Sequence, residues 1–109
     1  MDISDLSALE QQALVSAIRF WADHWDWECP TLFGLAQEDM SDIAGTWPES
    51  AALRSADAAL AVIGSIREML CGANALMPEK IRERVGISAA ELGDLLHRIR
   101  PRIDEALAK

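Results

Sequence analysis

Residues 51–71 read AALRSADAALAVIGSIREMLC, and this stretch decides the fold. At about 100° per residue, Leu53, Ala56, Leu60, Ile63, Ile66 and Leu70 fall on one arc of a helix, flanked by Val62 and Met69. Only the strip of Arg54, Asp57, Ala61, Ser65 and Glu68 reads as solvated. A helix that is apolar over more than half its circumference must be touched from more than one side. It is therefore expected at the centre of an all-α domain, with Gly72 as its C-terminal stop. The longest apolar stretch within it, residues 58–66, falls far short of the ~20 residues that a membrane-spanning helix needs.

Working outward, the chain upstream offers a first helix over about 7–26. Ser7 and Glu10 stand at the spacing of a capping box, and Leu6, Leu9, Ala13, Leu14, Ala17, Ile18, Phe20, Trp21 and Trp25 share one side. Pro30 disfavours helix at Cys29, and Leu32-Phe33-Gly34 reads as a packed turn. A short second helix follows over about 37–45, stopped before Pro48. Downstream, Pro78 opens a fourth helix at the position where its missing amide hydrogen costs nothing. Gly86-Ile87 turns the chain, and Ser88 with Glu91 forms a second capping box. The last helix buries Leu92, Leu95, Leu96, Ile99, Ile103, Ala106 and Leu107 and continues past Pro101. The expectation is one domain spanning 1–109, a compact bundle of about five helices with the third at the centre. The width of that helix's apolar arc also allows for a homodimer.

Composition supports helix. Ala is the commonest residue, Tyr is absent, and half the chain is apolar, a mixture low in β-formers and wrong for disorder. The opening Met1-Asp2-Ile3-Ser4-Asp5 lacks the basic and apolar segments of a secretory signal. Two cysteines without such a signal are expected to stay reduced, which places the protein in the cytoplasm. The net charge is −8, which argues against nucleic-acid and membrane affinity. The balance is uneven: residues 1–79 carry 3 basic and 13 acidic side chains, and residues 80–109 carry 7 and 5.

Chemistry-bearing residues are few. Residues 23–29, DHWDWEC, gather carboxylates, an imidazole and a thiol, but without the paired spacing that puts two metal ligands on one face. His24 reads as a core histidine against Trp21. Cys29 follows Asp26 and Glu28, whose charges raise a thiol's pKa, and Cys71 lies on the wide apolar helix, so neither suits a nucleophile. No catalytic residue, metal site or cofactor is expected. Glu10 and Arg67 both interrupt apolar faces. Either they pair with each other across two helices, or Arg67 marks a partner-binding pocket. Trp21 and Trp25 read as core, whereas Trp27 and Trp47 lie near helix ends, where an exposed indole is a typical interaction hot spot.

Residues 78–98, PEKIRERVGISAAELGDLLHR, resemble a helix-turn-helix: helix, a Gly-Ile-Ser turn, then a second helix, with Ile81, Val85, Ile87, Leu92 and Leu95 at buried positions. The match covers about a fifth of the chain and departs at Arg82, where such motifs carry a small residue. The resemblance implies a dimeric DNA-binding regulator with Arg98, Arg100 and Arg102 on phosphates. Ala89, Ala90, Gly93 and Asp94 offer the reading helix no long donors for base edges. The first expectation is instead a non-enzymatic regulatory or adaptor protein that binds another protein, with Trp27, Trp47, Arg98, Arg100 and Arg102 as contact candidates.

Overall fold

A computed structural model describes residues 1–72 and 74–108. Among them there are seven helices and no strand: α1 (Ala8–Asp23), α2 (Cys29–Phe33), α3 (Gln37–Gly45), α4 (Glu49–Leu53), α5 (Ser55–Cys71), α6 (Pro78–Val85) and α7 (Ala89–Ala108). The all-α expectation holds, but with two more helices than the five expected. Both are single short segments opened by proline. Pro30 sits in the first turn of α2 and Pro48 is the N-cap of α4, positions where the missing amide hydrogen leaves nothing unsatisfied.

Local signals set the boundaries. Ser7 Oγ accepts from the Glu10 amide at 3.1 Å, and the Glu10 carboxylate accepts from the Ser7 amide at 2.9 Å. Ser88 and Glu91 make the same reciprocal pair at 3.1 and 3.0 Å ahead of α7. Such boxes satisfy amides that the first helical turn leaves open. Gly86 ends α6 with φ +84, a backbone conformation that costs glycine little. α7 runs through Pro101, which is exposed, so the ring and the lost hydrogen bond face solvent. α1 stops at Asp23, three residues before the expected end, with His24 as its C-cap.

α5 is the hub, packed against α1, α2, α3, α4 and α7. Its orientation, however, differs from expectation. Its buried side chains are Ala58, Ala59, Ala61, Val62, Ser65, Ile66, Glu68 and Met69. The strip expected to be solvated is thus largely inside, and Leu60, Ile63 and Leu70 are only half-buried. Leu53, at the end of α4, is 84% exposed. The physical reason is closeness of approach. Small side chains let neighbouring helices come near the α5 backbone, and Trp21 Nε1 donates to Ser65 O at 2.9 Å across that contact. From α7, Leu92, Leu95, Ile99 and Ile103 join the same core.

Candidate functional site

The side of α5 that the bundle does not close carries Leu60, Ile63, Gly64, Arg67 and Cys71, related by i, i+3 and i, i+4 steps and therefore in one stripe. α2 stands on one flank with Leu32 and Phe33. α7 stands on the other with Arg100 and Leu107. Together these residues line a groove of about 510 Å³ whose floor is the α5 stripe. Leu32 and Leu107 are exposed.

Each part has a local cause. Gly64 is the place where α2 leans on α5: a Cβ there would lie 2.5 Å from Phe33 Cδ1, so only glycine admits the ring. Phe33 is itself held against Trp21 and Trp25, with centroids 6.0 and 5.8 Å away. Gly34 then turns the chain at φ +69, and Leu60 Cδ1 lies against it. At the far end the Glu68 carboxylate folds over Gly72, in the space a side chain would take, and accepts from the Asn74 amide at 3.3 Å.

The charge pattern around the groove is unlike that of the chain. Its lining holds two guanidinium groups, Arg67 and Arg100, and one carboxylate, Glu68, which is buried. Arg100 meets Asp104 one turn along α7, at 3.0 Å. Arg67 is exposed, and its guanidinium has no hydrogen-bond or ion-pair partner among the described residues. The expected Glu10–Arg67 pair does not form, since Glu10 pairs with Arg98 of α7 instead. That swap follows from the rotation of α5, which turns Arg67 away from α1.

The other candidates are dispersed. Trp27 is 86% exposed in the turn before α2. Trp47 is half-buried and lines a separate depression of about 490 Å³ along α1, with Gln11, Gln12 and Arg19; its indole N–H is buried without a partner among the described residues. Arg102 holds Asp5 with two bonds of 2.7 Å and donates to Asp2 O at 3.2 Å. Arg98 and Arg102 therefore tie the N-terminal region to α7, and Asp5 is drawn below the usual carboxylate range by Arg102. A third depression, of about 700 Å³, lies between residues 1–4 and α4. Its charged groups are already engaged: the Met1 ammonium donates to Ala51 O and Ser55 Oγ, and Asp2 accepts from Ser4.

The acid–imidazole–thiol segment is taken apart by the fold. His24 is exposed, stacked on Phe20 at 4.2 Å rather than buried against Trp21, with Nδ1 2.8 Å from Phe20 O. Cys29 is buried, and burial first, then the hydrogen bond and charge of the Asp26 carboxylate, push its thiol up against the opposing pull of the Asp26 amide, which donates to the sulfur. Cys71 is exposed. Among the described residues no group of three or more His, Cys, Asp or Glu side chains is placed to hold a metal ion, and no helix is long and apolar enough to cross a membrane. No family model matches the chain, and neither a curated protein nor a solved structure matches it. Of the lining, Arg67 and Arg100 were legible in the sequence as partner-contact residues, whereas the apolar floor was missed because Leu60 and Ile63 read as core.

Proposed function

We propose that this chain is a non-enzymatic regulatory or adaptor protein that works by binding another protein through the groove between α2, α5 and α7. The observation that carries the reading is the half-open stripe of Leu60, Ile63 and Arg67 between Leu32 and Leu107. Contiguous exposed apolar surface with a polar edge is the usual mark of an interaction site, whereas apolar residues scattered singly are not. Trp27 and Trp47 supply further contact surface outside it. A cytoplasmic setting belongs to the same reading, since both cysteines are free.

Two observations weigh against the alternatives. A thiol nucleophile needs an accessible, electropositive setting and a base beside it. Buried Cys29 lacks the first, and exposed Cys71 has no histidine among the described residues of the groove lining to serve as the second. A DNA-reading α6–α7 hairpin would use Arg98, Arg100 and Arg102 on phosphates, and these are engaged with Glu10, Asp104 and Asp5. Releasing Arg98 and Arg102 for a duplex would break the two contacts that tie the N-terminal region to α7.

Cys71 gives a direct test. A photoactivatable cross-linker attached to this exposed thiol, in extracts of the cells that make the protein, should yield one defined protein adduct. Ile63→Asp should abolish that adduct, and an equivalent cross-linker on Gln12→Cys in a Cys71→Ser background should not reproduce it. Absence of any groove-dependent adduct would refute the reading.

A further inference from the structure

The groove's shape and charge narrow the kinds of partner segment that can fill it, and the choice among them rests on the proposed function. The floor runs from Leu60 to Cys71, which at 1.5 Å per residue is about 16 Å, or three helical turns. Among the described residues there is no strand, so no sheet edge offers pairing to an extended peptide. Recognition of a polyproline segment needs exposed aromatic walls; the one aromatic ring in the lining, Phe33, is buried under Gly64. The mode left among the common ones is a helix laid between helices, its side-chain ridge set along the i, i+3, i+4 rows of α5 and its neighbours.

Charge selects the kind of helix. On a chain of net −8, this lining has two guanidinium groups against a single carboxylate that is buried and already accepting from Asn74. Arg67 rises from the middle of the floor with no partner among the described residues, and Arg100 has only a surface contact one turn away, of a kind worth little. An incoming carboxylate would give Arg67 its missing partner, while an incoming cation would meet like charge beside a desolvated floor.

We infer that the α2–α5–α7 groove is a docking site for an acidic amphipathic helix of a partner protein, about three turns long. Bulky apolar side chains fill the space over Leu60 and Ile63, and a flanking Asp or Glu meets Arg67.

The test uses a displayed library of three-turn peptides with Leu fixed at every third or fourth position and all other positions free, selected against the full chain and measured by calorimetry. Enriched peptides should carry Asp or Glu beside the Leu stripe. Arg67→Glu should weaken the selected peptides about tenfold and shift a repeat selection toward Lys and Arg. Ile63→Asp and, separately, Leu107→Asp should abolish binding, with circular dichroism unchanged. Three results overturn the inference: enrichment without an acidic bias, binding indifferent to Arg67→Glu, or self-association in sedimentation that Ile63→Asp removes, which would make a second copy the occupant. A groove-dependent adduct at Cys71 together with a library lacking acidic helices would sink this inference alone. Loss of both would sink the proposed function as well.

Discussion

The two sides of α5 differ in a way that hydrophobicity alone does not predict. The closed side combines Ala58, Ala61 and Ser65 with Val62, Ile66 and Met69, all fully buried. The open side carries Leu60, Ile63 and Arg67. Small residues went inside because they let α1 and α7 approach the α5 backbone, where the larger side chains of those helices supply the bulk. Leaving Leu60 and Ile63 half-covered forgoes on the order of 1 kcal/mol each of available burial. Surface of that kind is useful to a protein that binds, because the missing burial can be completed by another chain.

The strongest way to break the comparison is to exchange sizes across the helix. Ala61 has no exposed surface, so Ala61→Leu forces extra carbons into a filled contact and should cost about 1–3 kcal/mol. Leu60→Ala on the other side should cost about 1 kcal/mol, since its surface is partly in solvent already. Denaturant unfolding of the two variants measures both. Equal losses would mean that the two sides are not energetically distinct.

The same contrast explains what the sequence disclosed. Caps and stops are local, so Ser7 with Glu10, Ser88 with Glu91, Pro78 and Gly86 could all be read within a few residues of themselves, and the all-α class with a central third long helix followed. The rotation of α5 could not. A helix that is apolar over more than half its circumference carries only a weak periodic signal to say which side faces a neighbour, and size-blind hydrophobicity favoured the leucines over the alanines. α2 and α4, at five residues each, are too short for a period to show. The ion pairs of α7 join residues 88 and 97 positions apart, a separation that no local pattern encodes. Since the groove draws on three elements and on the rotation of one of them, its two arginines could be singled out but its apolar floor and walls could not.

Gly64 is the point of the open side on which α2 rests, and it gives a finer test. Replacing glycine by alanine inside a helix normally gains about 1 kcal/mol. Here the new methyl would meet the Phe33 ring at 2.5 Å. That ring is buried and held by Trp21 and Trp25, so it cannot simply swing aside. Overpacking should outweigh propensity, leaving Gly64→Ala about 1 kcal/mol less stable, with α2 displaced and peptide binding weakened alongside. A variant that gains the full propensity term would show that α2 rests loosely on α5 and that the groove has no fixed wall.

The smallest expected effect separates the dry interior of α5 from the ion-paired periphery by their response to acid. Asp5 beside Arg102, Asp39 beside Arg54, and Glu91 bonded to Ser88 all titrate below their ordinary values. A group whose folded pKa is depressed stabilises the fold above its unfolded value, near 4, and that contribution disappears as pH falls through the folded value. Thermal stability should therefore be flat through neutral pH and decline below about pH 4. Arg102→Gln removes the main cause of the Asp5 shift, so it should lower Tm by a few degrees at pH 7 and by less at pH 2–3, where Asp5 is becoming protonated in wild type too. Ala61→Leu, acting through packing, should lower Tm by similar amounts at both pH values. If Arg102→Gln keeps its full penalty in acid, the Asp5 contact contributes through shape rather than charge, and the periphery of α7 would then resemble the closed side of α5.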